Sequence, residues 1–165
     1  MKTKIGVSLA NIYVGCALTN RDENLQREVR LCKQAIGRKG NTVLEFVTDP
    51  RATPEDVYRN DIFGCVAKSD FLICFTDGSS TGLGIEIGAA LYRYQKPILA
   101  VCRWENQNKV SRLVRGISAE FSRQSFDFQP YRHLNWVWDL FLPDFLEGIK
   151  DPTQQQLDLC LNQPV

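Results

Sequence analysis

Three side chains in this sequence stand where they could do chemistry: Glu86, Asp61 and Tyr13. Glu86 lies within Gly82-Leu83-Gly84-Ile85-Glu86-Ile87-Gly88, a glycine-rich turn between an apolar run, Phe71-Leu72-Ile73-Cys74-Phe75, and an amphipathic stretch. The spacing puts Glu86 in or near the first turn of a helix, where the helix dipole favours an ionised carboxylate. An ionised carboxylate suits a nucleophile better than a general acid. The glycines do not form the dinucleotide-binding fingerprint, because the third falls at Gly88 where the pattern needs position 87. A nicotinamide cofactor is therefore not expected. Taken alone, a glutamate early in a helix serves equally well as a solvent-facing residue that suits the dipole.

The elements that must position Glu86 alternate along the chain. The run Phe71 to Phe75 is the pattern of a buried parallel strand, and Leu83, Ile87, Ala90, Leu91 and Tyr94 recur at helical spacing until Lys96-Pro97. Upstream, Ile12 to Cys16 predicts a first strand, followed by a polar turn and a helix with apolar positions Leu25, Val29, Cys32 and Ile36. Gly37 and Gly40 mark its end. Thr42 to Val47 predicts a second strand, and Pro54 is placed to open a helix carrying Val57, Asp61 or Ile62, Val66 and Ala67. Downstream come a strand over Pro97 to Cys102, a helix from Val110 to about Phe121, and a short strand from Ser125 to Phe128. An aromatic-rich helix with Leu134, Val137, Trp138, Phe141 and Phe145 completes the series. This alternation predicts an α/β fold: one doubly wound parallel sheet of about five strands, Rossmann or flavodoxin-like, with helices on both faces. The domain is expected over residues 1–150, with 151–165 as a C-terminal tail.

Composition narrows the partners. The 165 residues hold 20 basic and 19 acidic side chains with no basic run, which argues against a nucleic-acid polymer. The six cysteines are scattered, without a C-x-x-C pair and with one histidine, His133, as a possible imidazole partner. They read as reduced core residues of a cytoplasmic protein, with no metal. Lys2, Lys4 and the apolar Ile5 to Val14 resemble a lipoprotein signal ending at Cys16, but the stretch is short and Asn11 interrupts it. No run approaches the roughly 18 apolar residues of a membrane span, so no membrane partner is expected.

In a parallel sheet the carboxyl ends of the strands share one rim, and open α/β sheets place ligands there. Tyr13 and Gly15 end the first strand, and Glu86 follows the third. Asp61 lies a turn after Val57 and a turn before Cys65, on a stripe facing the sheet. A carboxylate on such a stripe either bonds a nearby loop or acts as a second acid. Tyr13 is either core or part of the same site.

The ordered set Ile12-Tyr13-Val14-Gly15, Tyr58-Arg59-Asn60-Asp61 and Thr81 to Gly88, followed by Lys96-Pro97, resembles the nucleoside 2-deoxyribosyltransferase family over roughly residues 12 to 128. The resemblance implies that Glu86 attacks C1′ of a 2′-deoxyribonucleoside and holds the sugar as an ester until a second base collects it. Tyr13 and Asp61 would hold and tune that carboxylate, Gly15, Gly82 and Gly84 would line the pocket, and no cofactor would be needed. The partners implied are 2′-deoxyribonucleosides and free nucleobases, in a homo-oligomer whose neighbouring copy completes each pocket through Ser111 to Glu120. The chemistry is coherent in itself, because departure of a base passes through an oxocarbenium-like state that an adjacent carboxylate stabilises and traps.

Two departures matter. Deoxyribosyltransferases commonly carry an aspartate six residues before the nucleophile, where this chain has Ser80, with Asp77 three residues further upstream as a substitute. Ser80 and Ser111 resemble the phosphate-binding serines of the related 2′-deoxynucleoside 5′-monophosphate N-hydrolases. Those hydrolases, however, resemble a Gly-Ser-x-Arg turn after the first strand, and here Gly15 is followed by Cys16-Ala17-Leu18. The reading placed first is base exchange by double displacement through Glu86. Nucleotide hydrolysis through the same glutamate, or a non-catalytic nucleotide-binding module, are the alternatives.

Overall fold

The computed structural model describes residues 9–17, 22–47 and 49–149. Their sheet has five parallel strands: β1 (Asn11–Cys16), β2 (Thr42–Leu44), β3 (Phe71–Phe75), β4 (Ile98–Arg103) and β5 (Phe126–Tyr131). The spatial order is β2-β1-β3-β4-β5, every neighbouring pair parallel. From β1 the chain winds outward to β2, then returns across β1 to start β3. The crevice between β1 and β3 is thus the switch point at which such sheets bind ligands.

Alternation along the strands decides what each face buries. Ile12, Val14 and Cys16 point to one core, and Tyr13 points to the other. The first face is covered by α1 (Glu23–Arg38) and by α5 (Leu142–Ile149), which is entered through a π-helical turn at Val137–Phe141. Leu25, Val29, Cys32 and Ile36 are the buried stripe of α1, as the periodicity predicts. Asp22 starts this helix, accepting from the backbone N–H groups of Asn24 (2.9 Å) and Leu25 (3.1 Å). Burial of each large aliphatic side chain contributes roughly 1.5–3 kcal/mol, which suffices to dock the helix. The opposite face is covered by the π-helix Arg59–Val66 that continues α2 (Pro54–Tyr58), by α3 (Thr81–Gly88), and in part by α4 (Arg112–Gly116).

Several boundaries differ from the sequence reading, for local reasons. The second strand stops at Leu44, because β1 pairs with it only from Asn11 to Tyr13, and Glu45 to Val47 then turn toward α2. There the Glu45 carbonyl accepts from Asn60 Nδ2 (3.2 Å) and Cys65 Sγ (3.3 Å). After Tyr58, α2 widens into a π-helix over Arg59–Val66, a geometry found disproportionately at functional sites. The wider turn makes Ile62, Cys65 and Val66 the buried positions and leaves Asp61 at the margin of the core, half-buried. The segment expected as one helix from Val110 is α4 followed by a 3-10 turn at Ile117–Ala119. The fifth strand runs on to Tyr131, because β4 continues to Arg103 beside it. Cys160 and the tail from 151 lie outside the described residues; the other five cysteines are buried and free. Among the described residues, no helix is long and apolar enough to cross a membrane.

The start of α2 depends on a capping box. Thr53 Oγ1 accepts from the Asp56 N–H (3.1 Å), and Asp56 accepts from the Thr53 N–H (3.1 Å). Replacing Thr53 with Ala is expected to cost about 1 kcal/mol. This should appear in thermal unfolding as a drop in Tm of about 3 °C for a domain of this size.

Candidate active site

The crevice between β1 and β3 holds Glu86, Tyr13 and Gly15 together. Ser80 sets where α3 begins, its Oγ accepting from the Leu83 N–H at 3.1 Å. Glu86 is therefore the sixth residue of the helix, in the second turn and not the first. Leu83 and Ile87 anchor that side of α3 in the core and carry Glu86 against β1. A Cβ placed on Gly15 would stand 3.0 Å from Glu86 Oε2, 3.1 Å from Leu83 Cδ1 and 3.4 Å from Tyr13 Cε1. Only glycine lets the strand pass so close beneath the carboxylate.

The electrostatics follow from that packing. Glu86 Oε2 is buried and accepts no hydrogen bond among the described residues. Burial pushes the Glu86 carboxyl up to about 7, and the neighbouring Asp61 carboxylate pushes the same way. The Tyr13 phenol draws it back as a nearby donor, although no hydrogen bond of good geometry joins the two. This corrects the expectation that the helix dipole keeps Glu86 ionised. The dipole acts within the first turn, where Ser80 already caps it, and desolvation governs the second. Tyr13 itself is 1 % exposed, and burial followed by the charges of Glu86 and Asp61 raises its pKa, so it stays a neutral phenol.

Asp61 is oriented by its neighbours. Its Oδ1 accepts from Asn60 Nδ2 (3.2 Å) and the Val47 N–H (3.4 Å), so it both binds the loop after β2 and faces the Glu86 carboxylate electrostatically. Asn60 and Cys65 were not singled out by the sequence reading, yet they hold this loop through the Glu45 carbonyl. The polar residue beside Asp61 in Tyr58-Arg59-Asn60-Asp61 was the available signal. Burial pushes the Cys65 thiol up to about 11 and that of Cys74 well above its ordinary value, so neither supplies a thiolate. Among the described residues, no three His, Cys, Asp or Glu side chains group as metal ligands.

The remaining expected site residues have surroundings of their own. Asp77 Oδ1 accepts from the Arg103 N–H and from Asn106 Nδ2, both at 2.9 Å, which ties it to the end of β4. Its Oδ2 is buried and has no partner among the described residues. Ser80 Oγ caps α3 by accepting one N–H, which leaves its O–H donor and second lone pair. Gly82 and Gly84 are exposed in the first turn of α3, and a Cβ on Gly84 would meet nothing within 4 Å. Ser111 and Glu120 are exposed at either end of the α4 segment. Phe126 and Tyr131 are core residues at 1 % and 3 % exposure.

A buried carboxylate with an unoccupied oxygen, flanked by a second acid and a neutral phenol, can attack an electrophilic carbon or stabilise a cation beside it. No family model matches the chain. A Thermofilum pendens protein described as a putative 2′-deoxynucleoside 5′-phosphate N-hydrolase 1 is 31% identical over 106 residues, covering 60% of this chain and 73% of that protein. Among solved structures, a CMP N-glycosidase of Clostridium botulinum superposes with a TM-score of 0.60 at 18% identity, covering 80% of this chain and 98% of its own. That likeness is one of fold.

The raised Glu86 carboxyl makes a signed prediction. Between the ordinary carboxyl pKa of 4.5 and about 7, the native state binds the extra proton, so this group's contribution to stability falls as pH rises through that window. Glu86→Gln removes the penalty, and chemical denaturation should find the variant more stable than the parent at pH 8, by on the order of 3 kcal/mol at most. The gap should close by pH 4. Asp61→Asn removes one of the two causes, so a carbon-13 titration of the Glu86 carboxyl should find its midpoint below that of the parent but above 4.5.

Proposed function

Because the chain belongs to the nucleoside 2-deoxyribosyltransferase-like family, we propose that it cleaves the N-glycosidic bond of 2′-deoxynucleoside 5′-phosphates by hydrolysis, using Glu86. The observation that carries this reading is the buried Glu86 oxygen without a partner, set over Gly15 at the β1/β3 switch point. Two further observations favour hydrolysis of a nucleotide over exchange of bases. Ser80 stands where the transferases carry an aspartate, and the Thermofilum pendens relative is described as a nucleotide N-hydrolase. The base exchange placed first by the sequence reading thus becomes the second reading. Its own support is the absence of a Gly-Ser-x-Arg turn after β1.

In the proposed reaction, ionised Glu86 attacks C1′ as the bond to the base breaks, and the base leaves with a proton taken from solvent or a neighbouring acid. Water then hydrolyses the glycosyl ester, releasing 2-deoxyribose 5-phosphate and restoring the carboxylate. Asp61 and Tyr13 keep Glu86 in place and set its protonation. With Glu86 titrating at about 7, the rate should fall on the acid side of that value as the nucleophile is protonated. Ser111 and Glu120, exposed within one chain, would reach substrate only from a neighbouring copy, and the strongly exposed Leu113 (84 %) between them suits such an interface.

The test supplies 2′-deoxynucleoside 5′-monophosphates in one reaction, and deoxyinosine with free adenine in another. Free base with 2-deoxyribose 5-phosphate in the first and no deoxyadenosine in the second is the expected result. Deoxyadenosine formed without hydrolysis of any monophosphate would establish the second reading instead. Gly15→Ala should lower kcat about a hundredfold while the protein remains folded, since the new methyl displaces the Glu86 carboxylate from its position.

A further inference from the structure

A second polar cleft opens at the carboxyl edge of the sheet, on the face opposite Glu86. Its volume is about 390 Å³, and Arg27, Glu28, Arg103, Glu105, Tyr131 and Arg132 are among its walls. Tyr131 belongs to the core under α1 and α5, whereas Tyr13 belongs to the core under the π-helix Arg59–Val66 and α3, so the sheet itself separates the two sites. Nothing in the proposed reaction uses this cleft.

Its charged groups divide into a floor that is paired except at one nitrogen and a rim without ion pairs. In the floor, Arg103 Nε donates to Glu28 Oε2 (3.0 Å) and Arg103 Nη1 to Asp22 Oδ2 (3.2 Å), while the Tyr131 hydroxyl donates to Glu28 Oε2 (2.7 Å). Arg103 Nη2 is buried and has no acceptor among the described residues. At the rim, the Arg132 guanidinium carbon sits over the Trp104 indole, 4.3 Å from the ring centre. The indole face attracts the guanidinium cation and, accepting no N–H in a carboxylate-like way, leaves donors of the fork for a further partner. Neither Arg132 nor Arg27 has a carboxylate within 4.0 Å among the described residues. Of the carboxylates lining the cleft, Glu28 is taken up by Arg103 and Tyr131, which leaves Glu105 against the two arginines. A fork of planar donors with surplus positive charge matches an oxyanion, and a cleft of this size admits a small molecule.

We propose that this cleft binds a small phosphate-bearing ligand, held by the Arg132 guanidinium over Trp104 and by Arg27. The site is independent of the reading given for Glu86 and stands or falls separately. Arg103 also joins its floor to the loop preceding α3, through its N–H to Asp77.

Inorganic phosphate is the probe, and the readout is the indole N–H resonance of Trp104, assigned through Trp104→Phe. Saturable movement of that resonance is expected, unchanged in Glu86→Gln. It should weaken by at least about tenfold in affinity in the double variant Arg27→Ala, Arg132→Ala, whose two positions are exposed and outside the core. A resonance that does not move, or that moves with undiminished affinity in the double variant, would overturn the proposal. Loss of the response in Glu86→Gln would do so as well, by placing the phosphate at the other site.

Discussion

A carboxylate can be pressed against the middle of a sheet only where the strand beneath it has no side chain, and Gly15 is that place. With 3.0 Å between Glu86 Oε2 and the position of a Gly15 Cβ, the glutamate occupies the volume any other residue would fill. From this one contact follow the burial of Glu86, its carboxyl raised to about 7, and its electrostatic coupling to Asp61 and Tyr13. The surrounding fold keeps that contact in place. Leu83 and Ile87 fix the rotation of α3, the β1–β3 pairing sets Gly15 against Cys74, and Ser80 fixes the helix start.

The polar network around the site serves the same end. Asn60 and Cys65 hold the Glu45 carbonyl, Asp61 holds the Val47 N–H, and together they bring the loop after β2 over the crevice. On the other side Asp77, Arg103 and Glu28 lock the carboxyl ends of β3 and β4 to the start of α1. The site is thus bordered by loops whose backbones are held by side chains from rigid elements, the condition under which a reacting group can be positioned closely.

Much of this architecture is legible in the sequence because it rests on local periodicity. The stripe Leu25, Val29, Cys32, Ile36 and the apolar runs of β1, β3 and β4 are patterns that one element's burial imposes on its own residues. Glu86, Tyr13 and Asp61 were also legible as a group, since strand ends share one rim. Features that depend on distant partners were not. The end of β2 at Leu44 is decided by Asn60 and Cys65, and the phase of Asp61 by a π-helical turn that no 3.6-residue pattern foresees. The ionisation of Glu86 was read with the wrong sign, because the dipole belongs to its own helix whereas desolvation comes from β1 and α2. The contact of Arg132 with Trp104 joins side chains from the ends of β4 and β5, and neither segment announces it.

The most direct test of Glu86 as the reacting group is covalent capture. A 2-fluoro analogue of a 2′-deoxynucleoside 5′-monophosphate slows both formation and hydrolysis of a glycosyl ester, and peptide mass spectrometry then locates any adduct. The mass of the fluorinated sugar phosphate on the peptide bearing Glu86, absent in Glu86→Gln, is the predicted result. Release of base from the analogue with Glu86 unmodified, or an adduct on another side chain, would contradict it.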